Sequence, residues 1–166
     1  DIKVMSCGVP LIAFNKIFTG ESGITTRFVL PILGLRKNSD APMQVDCSAR
    51  MRARPIKPLI ETLNRLGMKI QPLNNNQLYP LSISGKLLGG KAEIDGASSQ
   101  YLSALLFALP LAQNDSEITV KGLNSGPYIE MTVDWLKEQG IKHQWEKKNG
   151  CDVIFIKGGQ KYHPFT

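Results

Sequence analysis

The chain repeats itself, and that repetition narrows the folds open to it more than any other feature. Two halves of the 166-residue sequence carry the same parts in the same order. In the first, Glu21-Ser22-Gly23-Ile24-Thr25-Thr26-Arg27 opens an apolar run through Phe28, Val29, Leu30, Ile32 and Leu33. In the second, Gly96-Ala97-Ser98-Ser99-Gln100 opens a run from Tyr101 to Leu109. Length and composition predict a helix for each, starting on small polar residues. An alternating stretch follows each helix, Met43 to Cys47 and Glu117 to Lys121, and predicts a strand. Two matching segments come next, 54–67 and 126–140, each with proline at the expected first helical position and glycine at the stop. The stripes Ile56, Leu59, Ile60, Leu63, Leu66 and Ile129, Val133, Leu136 make these amphipathic helices with core-facing sides.

Each second helix leads into a strand candidate, Met68 to Gln71 and Ile141 to Glu146, and another follows at Leu81 to Ser84 and Cys151 to Lys157. With opening strands before Gly20 and at Lys91 to Asp95, the unit is β-α-β-α-β-β, roughly 75 residues long. The expected fold class is α/β, with two such repeats, about 12–88 and about 89–161, mixed sheets and helices packed together.

The formal net charge of +6 and pI near 9.3 point to an anionic partner. Apart from Arg50, Arg52 and Arg54 the cations are scattered, and no aromatics interleave with them as a base-stacking surface needs. Nucleic acid is therefore not expected. The longest apolar stretch, Tyr101 to Ala112, is interrupted by Ser103 and Pro110 and is shorter than the ~20 residues of a membrane span. Cys7, Cys47 and Cys151 lie too far apart for a CxxC site and are odd in number, which fits a reducing cytoplasm. His143 and His163 are isolated, so neither a metal site nor a catalytic triad is expected. The chain begins DIKVMSCG, without methionine or a signal-like run, and reads as a piece of a longer one.

A small anion can be met at the helix starts. Ser98 and Ser99 would place hydroxyls beside free backbone N–H groups and the positive end of a helix dipole. Simple capping is the competing role for Ser98. Gln100 carries an amide that donates on one side and accepts on the other. Gly23 lets backbone N–H groups approach a ligand closely. The Arg50 guanidinium matches a carboxylate or phosphate with two parallel hydrogen bonds, whereas Arg52 and Arg54 read as surface charge and structural pairing. Ser125 and Tyr128 flank a Gly-Pro turn at the start of the last helix, where a tyrosine is otherwise half-buried core.

Several blocks in order, GESGITTR (20–27), SARMRARPI (48–56), YPLSISGKLLGGKAEIDGASSQYLSALL (79–106), SGPYIEMT (125–132) and IKGGQKY (156–162), resemble the 5-enolpyruvylshikimate-3-phosphate synthase family. DGxxSSQ followed by SxPYIxMT is the specific part. The resemblance implies transfer of the enolpyruvyl group from phosphoenolpyruvate to the 5-hydroxyl of shikimate 3-phosphate, by a monomeric enzyme without cofactor or metal. It implies that Ser98, Ser99, Gln100, Ser125 and Tyr128 bind shikimate 3-phosphate, and that Gly23, Arg50 and Gln100 bind phosphoenolpyruvate. Family members have two lobes of three repeats, and this chain resembles two repeats of one lobe. Asp95, Glu130 and Asp134 fall in no block where the family keeps its acid/base residues, so the chain alone is expected to be inactive. The family usually reads G-N-[AS]-G-T where this chain has Glu21 and Ile24, with Phe28 in place of a common proline. Stiff, β-branched Ile24 is expected to disfavour glyphosate, which occupies the phosphoenolpyruvate site in the family. The related UDP-N-acetylglucosamine enolpyruvyl transferase family shares the repeated fold and uses a reactive loop cysteine. It remains the alternative through Cys47, as does a non-catalytic anion-binding relative.

Overall fold

A computed structural model describes residues 15–74, 77–123 and 126–163. The first repeat runs β1 (Lys16–Phe18), α1 (Gly23–Leu33), β2 (Met43–Asp46), α2 (Ala49–Arg52), α3 (Lys57–Arg65), β3 (Met68–Asn74) and β4 (Gln77–Gly85). The second runs β5 (Gly90–Asp95), α4 (Ser99–Ala108), β6 (Ser116–Lys121), α5 (Gly126–Glu138), β7 (His143–Lys148) and β8 (Cys151–Ile156). Each repeat builds a four-stranded mixed sheet, ordered β1-β2-β4-β3 and β5-β6-β8-β7. In both, the first two strands pair in parallel because a helix carries the chain between them, and the last two form an antiparallel hairpin. The β7–β8 hairpin closes on Asn149-Gly150, whose φ angles of 51° and 77° are those of a two-residue type I′ turn. The α/β class and the order of the expected strands and helices agree with the sequence reading.

Register decides which side of each sheet is apolar. Val45 pairs with Leu81 and Ile83 with Ile70 in the first sheet, while Ile94 pairs with Val120 and Ile118 with Ile154 in the second. These side chains are buried and join one continuous core with the helices. At the centre is α4, which packs against both α1 and α5. Its residues Tyr101 to Leu106 and Ala108 are buried on every side, as a helix without a polar face must be. The two repeats are also tied by α3, which touches β3 and β5, with the Thr62 hydroxyl donating to the Glu93 carbonyl at 2.9 Å.

Helix boundaries shift for identifiable reasons. The segment 54–67 was expected to be helical from its first proline, yet α3 begins at Lys57 with Pro58 in its first turn. A helix starting at Pro55 would place Pro58 where an N–H is required. The carbonyl of Pro55 instead accepts from the Tyr101 hydroxyl at 2.5 Å. At the end of α5, Gly140 (φ 68°) and Ile141 donate to the carbonyls of Lys137 and Leu136, a Schellman stop that delays β7 to His143. Residues 49–52, for which no element was expected, form α2, with the Ser48 hydroxyl accepting from Met51 N at 3.4 Å.

One cation is consumed by the fold. Arg36, 5% exposed, donates to the carbonyls of Leu33, Asn38, Ser39, Ala41 and Ile83, and its burial lowers its pKa. Among the described residues no helix is long and apolar enough to cross a membrane.

Candidate functional site

The starts of α1 and α4 face each other, and the local sequence explains how. Ser22 caps α1, its hydroxyl accepting from Thr25 N at 3.1 Å and from the Thr25 hydroxyl at 2.9 Å. Ser98 holds the same position on α4 but makes no capping hydrogen bond with its side chain. Of these two serines, only the first caps its helix.

Gly96 sets where α4 begins. Its N–H donates to the Lys121 carbonyl at 2.7 Å, and Asp95 Oδ1 accepts from Ala97 N at 2.8 Å. A Cβ on Gly96 would sit 2.7 Å from the Gly122 carbonyl oxygen and 2.8 Å from Leu123 Cα. Glycine therefore lets the DGxxSSQ turn press onto the segment leading to α5, which brings Ser99 and Gln100 beside Tyr128. These three side chains and Ile24 line the polar end of a groove of about 830 Å³ between α1, α4 and α5. Its other end is apolar, where Phe28, Phe107 and Trp135 lie with ring centroids 5.7 and 5.0 Å apart. Between the ends, the hydroxyls of Ser103 and Thr132 are hydrogen-bonded at 2.9 Å.

Gly23 lies close to side chains from three segments. A Cβ there would lie 2.9 Å from Arg27 Nη1, 3.2 Å from Arg54 Nη1 and 3.8 Å from Gln100 Oε1. The glycine thus makes room for two guanidinium groups next to the Gln100 amide. Arg27 is 7% exposed and donates from Nη1 to Gln100 Oε1 at 2.5 Å. Its Cζ sits 5.4 Å from the centre of the Tyr101 ring, a cation–π contact.

Of the residues singled out in the sequence, Gly23, Ser98, Ser99, Gln100 and Tyr128 thus fall around the two helix starts and the groove. Arg50 is exposed on α2 and is not among the groove-lining residues. Ser125 and Cys7 lie outside the described residues. Arg52 pairs with Asp46 through Nε–Oδ1 at 3.0 Å and Nη2–Oδ2 at 2.6 Å, the structural role expected for it. Arg54 is exposed as expected, but its guanidinium also turns onto Gly23. Arg27 was not picked out in the sequence. Its signal was positional: it stands four residues after Gly23, on the same helix face, as the one cation in an apolar run.

Among the described residues, the groove offers hydroxyl and amide groups but no carboxylate for acid/base work. Asp95 is engaged with Ala97 N, and Glu130 and Asp134 are exposed on α5. Glu21, a source of repulsion if it faced inward, is exposed and not part of the lining. Cys47 is 1% exposed, and burial followed by the neighbouring Asp46 charge pushes its thiol pKa up. It keeps its proton and packs in the core, as read from its apolar strand, which removes the case for a nucleophilic cysteine there. His163 is exposed, and His143 is half-buried with Nδ1 2.8 Å from the Ile141 carbonyl.

Comparison with known proteins then narrows the class. A family model described as EPSP synthase (3-phosphoshikimate 1-carboxyvinyltransferase) matches residues 6–166. The 3-phosphoshikimate 1-carboxyvinyltransferase of Acetivibrio thermocellus is 38% identical over 159 residues, covering 96% of this chain and 36% of that protein. The protein of the same name from Methanosarcina mazei is 39% identical over 159 residues, covering 95% and 36%. That from Buchnera aphidicola is 42% identical over 149 residues, covering 89% and 33%. A 2.37 Å structure of EPSP synthase from Acinetobacter baumannii shares the fold, with a TM-score of 0.68 at 21% identity over 89% of this chain and 31% of that one. The chain therefore spans about a third of the length of the curated relatives it matches.

Proposed function

Because the chain belongs to the EPSP synthase (3-phosphoshikimate 1-carboxyvinyltransferase) family, we propose that it forms the part of such a transferase that holds shikimate 3-phosphate and one side of phosphoenolpyruvate. The whole enzyme would join the enolpyruvyl group of phosphoenolpyruvate to the 5-hydroxyl of shikimate 3-phosphate and release phosphate. Repeats of about 12–88 and about 89–161 make up part of one substrate-binding lobe, and the enzyme acts as a cytoplasmic monomer without cofactor. Its three separated cysteines support the reducing compartment.

In this reading the 3-phosphate docks at the start of α4, where Ser98 and Ser99 add hydroxyl donors to the free backbone N–H groups. Ser125 joins them, and Tyr128 lies along the shikimate ring. Gln100 donates between the two substrates, while Gly23 and Arg50 meet phosphoenolpyruvate. The observation that carries the reading is the Ser98 hydroxyl. It stands at a helix N-cap without capping, next to two other polar side chains that line one groove.

Titration of the 166-residue chain with shikimate 3-phosphate tests it. The Ser98→Ala/Ser99→Ala double variant should lose at least about tenfold in affinity, about 1.4 kcal/mol, the scale of one or two charge-assisted hydrogen bonds. Equal affinity for both proteins would remove the anion assignment.

A further inference from the structure

We infer that Arg27 is a positioning residue, which fixes the orientation of the Gln100 amide so that its NH2 group, and not its oxygen, faces the ligand. The inference rests on the proposed role of Gln100 and assigns the residue that makes that role specific. An arginine has only donors, so the Gln100 oxygen is the atom that must turn toward Nη1. The opposite orientation would set NH2 against a guanidinium, two donors facing each other. With its oxygen turned to Arg27, Gln100 directs its NH2 group away from that contact and toward the ligand, which suits an anion and penalises a cation or a bare hydrogen-bond donor.

Arg27 is itself held on several sides. It is 7% exposed, it lies against the Tyr101 ring, and the Tyr101 hydroxyl donates to the Pro55 carbonyl next to Arg54. One chain of contacts thus ties α1, α4 and the 54–55 segment around Gln100. Gly23 completes it: a methyl at that position would lie 2.9 Å from Arg27 Nη1 and would drive the guanidinium off the amide. Arg27 is buried and does not line the groove, so its effect on the ligand passes through Gln100.

A double-mutant cycle on the 166-residue chain separates that indirect action from direct binding or simple charge. Affinity for shikimate 3-phosphate is measured for the unaltered chain, Arg27→Met, Gln100→Ala and the double variant. Arg27→Met should weaken binding about tenfold when Gln100 is present and less than about twofold in the Gln100→Ala background. Equal losses in both backgrounds, or none in either, would overturn the inference. Failure of the unaltered chain to bind would remove the functional reading, and the inference with it. Loss additive between the two sites, with the unaltered chain binding, would remove the inference alone. The contact also has a ligand-free readout in the Nη proton resonances of Arg27, resolved in the unaltered chain and averaged in Gln100→Ala. The same exchange in both proteins would count against it. If Arg27→Met fails to fold, Arg27→Leu, which also removes every donor, is read by the same criteria.

Discussion

At the scale of single residues, the site depends on which hydroxyls and amides the fold leaves uncommitted. Ser22 and Ser98 stand at equivalent places in the two repeats, yet one caps its helix and the other does not. That difference was not visible in the sequence, where capping was a fair alternative for Ser98. Arg27 was also missed, because an arginine that ends a polar block reads as surface charge until its burial is seen. Ile24 shows the reverse. The sequence marks it as stiff and β-branched, and the structure sets it at the groove, 58% exposed, on the same lining as Gln100. In the complete enzyme, Ile24→Thr should therefore strengthen glyphosate inhibition about three- to tenfold, with a smaller change in KM for phosphoenolpyruvate. Inhibition constants that do not differ between the two proteins would exclude a role for this side chain.

Among the elements, the helix starts do the positioning and glycines set the distances. The repeats, their strands and the apolar faces of α3 and α5 could be read from periodicity, since a period of two or 3.6 marks which side is buried. The starting points of α3 and β7 could not, because Pro58 and the Schellman stop at Gly140 compete with the longer patterns around them. Gly96 has the largest consequence. Its missing side chain lets α4 start against the 122–123 backbone, and backbone cannot move aside as the end of a flexible side chain can. Gly96→Ala should destabilise the chain by about 1–3 kcal/mol in urea unfolding, the usual cost of inserting a methyl into packed structure. Because the α4 start would be displaced from Tyr128, affinity for shikimate 3-phosphate should fall as well. A variant with unchanged stability and affinity would show that the close approach is not needed.

The whole molecule holds two equivalent sheets with α4 as their shared filling, and this arrangement decides what the chain can do alone. The starts of α1 and α4 meet with the guanidiniums of Arg27 and Arg54, whereas among the described residues no carboxylate lines the groove. Enolpyruvyl transfer needs a proton delivered to the methylene carbon and another taken from the attacking hydroxyl, so binding without turnover is the expected behaviour. Purified chain mixed with both substrates should release no phosphate above the buffer rate, and measurable release would show that the chain carries an acid/base pair of its own. What the sequence by itself determined was the repeated β-α-β-α-β-β plan, the apolar faces and the small polar residues at the helix starts. All of these are local patterns, set by alternation, helical period and turn chemistry. Tertiary structure alone decided that Gly23, Arg27, Arg54 and Gln100 meet, and that the Ser22 side chain caps its helix while that of Ser98 makes no capping hydrogen bond. Arg27 and Gln100 are 73 positions apart, and only the packing of α1 against α4 brings them within hydrogen-bonding distance.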